Sequence, residues 1–345
     1  MCLGIQIATG LFLAIQFTAD SSISFIRVAR ISQDVNLGWM VRSFHANGAS
    51  LFFICLYLHT GRGLYYRRFS LIHAWIAGTT ILLLVIASAF LGYVLPWGQI
   101  SFWGARVITG LIQAVPYLGR DIIKWLWGGF SVDRPTLVRF FSFHFLVPFI
   151  VAVFALTHII FLHSSGSSNP LGLTSNYNKI EFHKEFSIKD YLGACLTLLI
   201  FLFIVLVYPW DLGDPENFNV ANPIVAPVHI QPEWYFLFAY SILRSIPDKL
   251  GGVIALAASV IVLYVFPFID LSNSRPHMLG NFYKTAVWSL AGVVILLTWI
   301  GARPVEDPYL PTGQILTFIF FFLVALWPII TIASPLISLP LKGNT

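Results

Sequence analysis

Residues 44–61 read FHANGASLFFICLYLHTG, and this stretch decides the fold because it places two histidines fourteen residues apart within a run of apolar side chains. His45 and His59 share the run with one other strongly polar side chain, Asn47. Burying an ionisable group in hydrocarbon is costly, so a histidine inside a membrane segment indicates a functional site. The stretch therefore predicts a membrane helix that takes part in the function of the protein.

The composition of the whole chain is that of a membrane protein. Of its 345 residues, 57% are apolar and only 10% are charged, and the mean hydropathy is +0.80. A water-soluble domain of this size could not present such a composition at its surface. The net charge of +5 comes from basic residues scattered through loops, which is typical of membrane proteins, so no nucleic-acid partner is predicted.

Seven apolar stretches are long enough to cross a hydrocarbon core about 30 Å thick, which takes roughly 20 residues. An eighth, residues 1–17, is shorter, and we expect a transmembrane helix whose beginning is short or missing from the chain. Wide connections at 96–139 and 210–249 favour short interfacial helices, the second opened by Pro232. The predicted fold is an all-α polytopic membrane protein with eight transmembrane helices, the first truncated. The full spans are predicted at 40–61, 72–95, 140–162, 190–209, 250–271, 285–302 and 313–336.

A second apolar span repeats the histidine spacing. His144 and His158 are again fourteen residues apart, within 140–162. Fourteen residues of α-helix advance about 21 Å and leave the second side chain only about 40° from the azimuth of the first. One span lies between the two histidine spans, so both run in the same direction. His45 is therefore expected level with His144, and His59 level with His158.

Two levels, each with an imidazole from either helix, favour heme over a bare metal ion. A bare ion takes three or four protein ligands at one level. Heme iron has four ring nitrogens of its own and needs only two axial ligands, for which histidine is a standard choice. The geometry predicts two bis-histidine hemes stacked through the membrane. For any single histidine the alternatives are hydrogen-bonded packing and proton relay, but neither needs a second helix with the same spacing.

Glycines and arginines at matching positions support these two levels. Gly78 and Gly92, also fourteen apart, lie on the intervening span and are expected at the levels of His59 and His45 respectively. A missing side chain lets a flat macrocycle approach the backbone closely. Arginine pairs with carboxylates in bidentate geometry, which suits heme propionates. The further candidates are Gly10 near the upper level, and Arg42, Arg62 and Arg139 on the outward flanks.

Several segments resemble the cytochrome b family, the diheme subunits of ubiquinol:cytochrome c oxidoreductases, in the family's order and over nearly the whole chain. They are HANGASLFFICLYLHTGRGLYY, GYVLPWGQISFWGA, the second histidine helix, PEWYFLFAYSILRSIPDKLGG and the closing apolar spans. The resemblance implies a catalytic subunit that is active only within its complex. It would oxidise quinol at the positive side and pass one electron through two heme b groups to a quinone at the negative side, coupled to proton translocation.

The resemblance also implies roles for individual residues. His45 and His144 would hold the low-potential heme, and His59 and His158 the high-potential heme. Glu233 would accept a quinol proton, which is general-base work for a buried carboxylate. The quinol-oxidation pocket would contain Pro232, Glu233, Tyr235 and Tyr240, with Gly104, Phe90 and Tyr93 in its wall, and the quinone-reduction pocket would contain His163, Asp190, Lys189 and Ser167.

Partners and location follow from the same resemblance. It implies a Rieske iron–sulfur protein and cytochrome c1 as partners in a homodimeric complex in membrane lipid, with ubiquinone or a related quinone as substrate. The uninterrupted chain is more like the respiratory form than the split photosynthetic one. Low charge and short loops favour the mitochondrial inner membrane, with a bacterial plasma membrane as the alternative. Along the chain, 1–209 is predicted to form the four-helix diheme bundle, and 210–345 a C-terminal membrane region with the PEWY loop and three transmembrane helices.

Two other classes of membrane protein also use intramembrane histidines. A diheme reductase of the ascorbate type would have histidine pairs, but neither eight spans nor PEWY after a wide connection is expected of it. A transporter with histidine proton relays would need no second matched helix. A search for heme and its potentials separates the three classes.

Overall fold

The computed structural model describes residues 1–167, 169, 177–271 and 280–337, with side chains up to residue 334. Over these residues the fold is built from α-helices joined by loops and short 3-10 turns, because a backbone in lipid must satisfy its own hydrogen bonds. The helices are α1 (Cys2–Gln16), α2 (Ser24–Gln33), α3 (Gly38–Tyr65), α4 (Ile72–Val94), α5 (Gln99–Gly110), α6 (Gly119–Trp127), α7 (Arg134–Ser165), α8 (Glu185–Val207), α9 (Leu237–Ser245), α10 (Lys249–Ile269), α11 (Gly280–Gly301), α12 (Tyr309–Ala325) and α13 (Trp327–Ile337).

The all-α membrane fold predicted from the sequence is confirmed. Within the described residues, five helices are long and apolar enough to cross a membrane, namely α4, α7, α8, α10 and α11. The pair α12 and α13 passes the same test as one broken span. Helix α3 has 28 residues, long enough to cross although it carries polar side chains, and α1 has 15. Each predicted span therefore coincides with a helix or with this broken pair.

The last span and helix α2 differ from the sequence prediction. The last span, 313–336, is divided into α12 and α13 at a bend of 53°, because Pro328 in the first turn of α13 offers no N–H and clashes with a continuing helix. Helix α2 was not predicted, since it is short and amphipathic and has too few apolar residues to form a span. The predicted interfacial helices of 96–139 are present as α5 and α6.

The prediction that Pro232 opens a helix is wrong. Pro232 and Glu233 lie in an irregular segment, a 3-10 turn covers Trp234–Phe236, and α9 begins only at Leu237. Side-chain contacts hold this segment away from the helical path. The Tyr235 ring stacks on Phe53 with ring centroids 4.1 Å apart. The Glu233 carboxylate accepts a hydrogen bond from a tyrosine described below.

The chain divides into two compact units. Unit 1 comprises Met1–Cys55, Leu82–Val153 and Ile180–Tyr235, and unit 2 comprises Leu56–Ile81, Phe154–Lys179 and Phe236–Thr345. The core of unit 1 is formed by α5, α6 and the beginning of α7, with Trp127 donating from Nε1 to Thr109 Oγ1 at 2.8 Å. The predicted regions 1–209 and 210–345 divide the sequence differently and stay a prediction.

Unit 2 has its own core around α9, α10, α11, α12 and α13. Trp327 is fully buried there and packs edge-on against Phe266 and Tyr283, with centroids 4.8 and 5.4 Å away. The Tyr283 hydroxyl donates to the carbonyl oxygen of Leu64 at 2.6 Å. Helix α10 begins with a capping side chain, because Asp248 accepts from the Gly251 amide at 2.6 Å.

Unit 2 contains a buried ion pair, on which a stability prediction can be based. Arg67 and Asp270 form a salt bridge with side chains only 10% and 5% exposed. Breaking a buried pair leaves an uncompensated charge and costs about 3–5 kcal/mol. We expect Asp270→Asn to lower the thermal denaturation midpoint of the detergent-solubilised protein clearly.

The matched control breaks an exposed pair. Arg134 lies 3.2 Å from Asp20 and its side chain is 67% exposed. Solvent screens surface pairs of this kind and they contribute little to stability, so Arg134→Gln is expected to change the midpoint little. Equal losses in the two variants would contradict the argument from burial.

Candidate functional site

The four intramembrane histidines meet in two pairs, one within each unit. In unit 1 the rings of His45 on α3 and His144 on α7 have centroids 6.1 Å apart, with planes at 89°. In unit 2 the rings of His59 and His158, on the same two helices, have centroids 6.2 Å apart, with planes at 70°. The level pairing predicted from the fourteen-residue spacing is confirmed. Ligand roles for these residues stay a prediction.

Backbone carbonyls fix the tautomer of two of these rings. His144 Nδ1 lies 2.8 Å from the carbonyl oxygen of Ser88, and His158 Nδ1 lies 2.7 Å from that of Ala74. A carbonyl oxygen only accepts, so Nδ1 of each ring carries the hydrogen and donates it. Nε2 then keeps a free lone pair, the arrangement that metal-binding histidines have.

His45 has a side-chain acceptor instead. Its Nδ1 lies 2.9 Å from Thr9 Oγ1, and the Thr9 hydroxyl lies 2.6 Å from the carbonyl oxygen of Ile5. The single hydroxyl hydrogen is used toward Ile5, so the oxygen accepts from His45 Nδ1–H. Sequence reasoning missed Thr9. The only signal in the sequence is a hydroxyl directly before Gly10 in an otherwise apolar helix.

The spacing of the rings suits one metal ion between each pair. An imidazole nitrogen binds a metal at about 2.0 Å and lies about 1.1 Å from its ring centroid, so two rings on opposite sides of an ion have centroids about 6.2 Å apart. The observed distances are 6.1 and 6.2 Å. In the described part of the chain, no group of three or more His, Cys, Asp or Glu could hold a metal. Two imidazoles at this spacing match the number of protein ligands that a macrocycle such as heme would need, so the residues present fit that group.

Three glycines pack directly against the histidine rings. Because a glycine has no Cβ, the ring edge can approach the helix backbone. A Cβ added at each position would crowd the Cε1 atom of the neighbouring ring. The distances are 2.4 Å from Gly92 to His144, 3.0 Å from Gly78 to His158 and 3.1 Å from Gly10 to His45. The predicted levels of these glycines are confirmed, and the structure adds that they make room for the imidazoles themselves.

Unit 1 contains a cavity of about 300 Å³ that joins the first histidine pair to the PEWY segment. His45 and His144 line it, and so do Tyr93, Glu233 and Tyr235. Most of the other lining side chains are apolar. A single space in unit 1 thus contacts both a candidate metal pair and a candidate proton acceptor.

The three candidate arginines differ in their surroundings. Arg42 lines the cavity of unit 1, donates to Ser32 Oγ at 3.1 Å and lies over the Trp210 ring, 5.1 Å from its centroid. Arg139 donates to two backbone carbonyls in the last turn of α6 and is not among the residues that line the cavity. Arg62 is exposed in the last turn of α3, in unit 2.

Glu233 is a half-buried carboxylate whose pKa is raised by its surroundings. Burial raises the pKa of Glu233 to about 7, a hydrogen bond donated by the Tyr93 phenol opposes this rise, and the nearby carboxylate of Asp214 adds to it. Tyr235 beside it is only 4% exposed and is held by its stacking on Phe53. Sequence reasoning missed Asp214, whose signal is the acidic DPENF stretch.

The other predicted residues of the quinol pocket are distributed over both units. In unit 1, Pro232 is partly buried, Phe90 packs on Phe140 with centroids 5.7 Å apart, and Gly104 has space for a Cβ. Tyr240 is in unit 2, on α9, with the Arg244 guanidinium 5.2 Å from its ring centroid.

The four predicted residues of the quinone-reduction pocket are all exposed. His163 and Ser167 belong to unit 2, at and just after the end of α7, whereas Lys189 and Asp190 belong to unit 1, in the first turns of α8. Their joint role stays a prediction.

Comparisons with known proteins match nearly the whole chain. The family profile described as cytochrome b/b6/petB matches residues 1–166, and the profile described as cytochrome b(C-terminal)/b6/petD matches residues 220–321. A solved structure titled "Hyperthermophilic respiratory Complex III" is similar to this chain with a TM-score of 0.92 and 30% sequence identity. The similarity covers 97% of this chain and 89% of that one.

Proposed function

We propose that this chain, which belongs to the cytochrome b family, is the subunit of a quinol:cytochrome c oxidoreductase that oxidises quinol and carries two bis-histidine hemes. It is a membrane-embedded electron-transport protein, and its family binds heme b. The proposal of two bis-histidine hemes rests on one observation. The rings of His45 and His144 have centroids 6.1 Å apart, and those of His59 and His158 have centroids 6.2 Å apart. Two such pairs at two levels suit electron transfer between the two faces of a membrane.

The heme-binding residues are those that the structure brings together. His45 and His144 would hold the low-potential heme, and His59 and His158 the high-potential heme. When bound, heme supplies reversible one-electron chemistry at its iron. The hydrogen bonds at Nδ1 orient the rings and keep Nε2 available. Space and charge around the groups would come from Gly10, Gly78, Gly92, Arg42, Arg62 and Arg139.

Quinol oxidation is assigned to the PEWY segment. Glu233 would accept a proton from the quinol hydroxyl, since a carboxyl with a pKa near 7 is ionised in about half of the molecules at neutral pH. Tyr93 donates a hydrogen bond that orients this carboxylate. Tyr235, stacked on Phe53, supplies a rigid apolar wall. Pro232, Tyr240, Phe90 and Gly104 complete the proposed pocket.

Quinone reduction is assigned to the opposite, negative side. His163 and Asp190 would bind and protonate the quinone carbonyls, Lys189 would supply protons, and Ser167 would lie at the rim. All four side chains are exposed, which suits groups that exchange protons with water.

The chain works in a complex, as the similarity to a respiratory Complex III subunit supports. We propose a Rieske iron–sulfur protein and cytochrome c1 as partners in a homodimer, with ubiquinone or a related quinone as substrate. Several apolar helices make the chain a membrane protein. We assign it to the mitochondrial inner membrane, with a bacterial plasma membrane as the alternative.

Reduced-minus-oxidised absorbance of the purified complex tests this function. We expect two b-type signals that titrate at different potentials, with quinol as the electron donor. A single low-spin pool that reacts with ascorbate would instead indicate an ascorbate-type reductase. A protein without heme would indicate a transporter.

Gly92→Ala is expected to reduce or abolish one of the two heme signals. The added Cβ would lie 2.4 Å from His144 Cε1, closer than real Cβ contacts come, so the ring must move. The low-spin signal of that pair is measured per mole of protein. Gly292→Ala on α11 is the matched control, because a Cβ there meets nothing within 4 Å. Two full signals in Gly92→Ala would contradict the proposed ligation.

A further inference from the structure

Among the described partners of histidine Nδ1, Thr9 Oγ1 is the one side-chain oxygen within 3.0 Å, since the Ser88 hydroxyl lies 3.4 Å from His144 Nδ1. His144 and His158 donate to backbone carbonyls at 2.8 and 2.7 Å, whereas His45 donates to the Thr9 hydroxyl at 2.9 Å. A backbone carbonyl is the same whatever residue carries it. The strength of the Thr9 acceptor, in contrast, is set by the residue type at position 9.

The Thr9 oxygen is part of a directed chain of hydrogen bonds. Its hydrogen points to the Ile5 carbonyl oxygen at 2.6 Å, which leaves the oxygen as an acceptor for the His45 N–H. Hydrogen bonds that follow one another in this way polarise each other in a low-dielectric interior. Polarisation draws the Nδ1 hydrogen of His45 toward Thr9 and makes Nε2 a stronger electron donor.

Helix α1 holds this acceptor in a fixed place. Gln6 donates from Nε2 to the backbone carbonyl of His45 at 3.0 Å. Gly10 lets the helix approach the ring, since a Cβ there would lie 3.1 Å from His45 Cε1. Gln6, Thr9 and Gly10 lie on one face of α1, and their contacts with His45 together locate the Thr9 oxygen against its ring.

We propose that Thr9 is a positioning residue that lowers the reduction potential of the heme held by His45 and His144, and of that heme alone. The inference rests on the proposed function, because it requires that His45 would hold the heme. A ligand that donates more electron density stabilises ferric over ferrous iron, so the hydrogen bond favours the oxidised state. The result is a larger potential difference between the two hemes, in the direction that drives an electron from the first pair to the second.

Redox titration of the assembled complex tests the proposal, followed by absorbance at both heme signals. In Thr9→Val, which keeps the shape but loses the acceptor, we expect the potential of the His45–His144 heme to shift upward. The potential of the other heme should stay at the wild-type value. Thr9→Ser, which restores the hydroxyl, should return the first potential close to wild type.

A matched control separates the hydroxyl contact from a general effect of losing a threonine. Thr298 on α11 makes the same kind of bond to the carbonyl four residues earlier, at 2.9 Å to Val294. Thr298→Val should leave both potentials unchanged. An equal shift of both hemes in Thr9→Val, or no shift, would overturn the proposal.

Heme loss is informative as well. If Thr9→Val lacked the first signal while Thr9→Ser kept it, the hydroxyl would be shown to hold the ring, in support of the proposal. If both variants lacked it, threonine shape would be the requirement and the proposal would be wrong. Failure of the proposed function is recognised separately, since the wild-type complex would then show fewer than two low-spin hemes.

Discussion

Replacing either His45 or His144 by leucine is expected to abolish one and the same heme signal, and replacing either His59 or His158 to abolish the other. The expectation follows from the ring centroids 6.1 and 6.2 Å apart, which pair the residues by level. Leucine fills a similar volume without a lone pair, so the helices should assemble while the ligand is lost. Absorbance of the purified complex identifies the missing signal, and quinol-dependent turnover should fall to background in all four variants.

His73→Leu serves as the control for these substitutions. His73 is an exposed histidine on α4 that packs against Phe161, with centroids 5.5 Å apart. Both heme signals should remain in this variant. The pairing would be refuted if His45→Leu and His158→Leu removed one common signal.

For Glu233→Gln we expect quinol oxidation to slow by roughly 100-fold, a value within the range that general-base groups supply, with both hemes retained. The glutamine keeps the size of the side chain but cannot take a proton. Stopped-flow reduction of the heme by quinol measures the step. A turnover rate equal to wild type would remove the proton role of Glu233.

The pH dependence provides a second test of the same group. Its pKa of about 7 means that the carboxyl is protonated below that pH and cannot accept a quinol proton. Wild-type quinol oxidation should therefore slow as pH falls through about 7. In Glu233→Gln this acidic limb of the pH–rate profile should be absent.

Substitutions of Tyr93 and of Asp214 should move the acidic limb of the pH–rate profile in opposite directions. The Tyr93 hydrogen bond lowers the pKa of Glu233, so Tyr93→Phe should move the limb to higher pH. The Asp214 charge raises that pKa, so Asp214→Asn should move the limb to lower pH. A shift of both in the same direction would show that another group titrates.

The histidine register could be predicted from sequence because it depends only on helix geometry. Fourteen residues return a side chain to nearly the same azimuth, and two parallel helices with that spacing must present matching levels. The same reasoning located Gly78 and Gly92. It could not show that these glycines pack against the rings of His158 and His144, because that contact depends on how closely α4 approaches α7.

Contacts between segments distant in sequence were the part that pattern reasoning could not supply. Thr9 lies 36 residues from His45, and Tyr93 and Glu233 come from α4 and a loop far along the chain. Helix propensity also misplaced the start of α9, since the side chains of Glu233 and Tyr235 hold the chain irregular beyond Pro232. Periodicity in the sequence predicts which face of a helix is apolar. It does not predict which distant side chain a polar group will contact.

The difference between the acceptors of the histidine hydrogens has a genetic consequence. The nearest described acceptors of His144 and His158 are main-chain oxygens, of Ser88 and Ala74, which no codon change can delete. The acceptor of His45 is a hydroxyl that a single nucleotide exchange in a threonine codon can remove. With the role proposed for Thr9, heritable variation at position 9 would change the potential difference between the two proposed hemes, whereas mutation at the carbonyl sites leaves the acceptor atom in place.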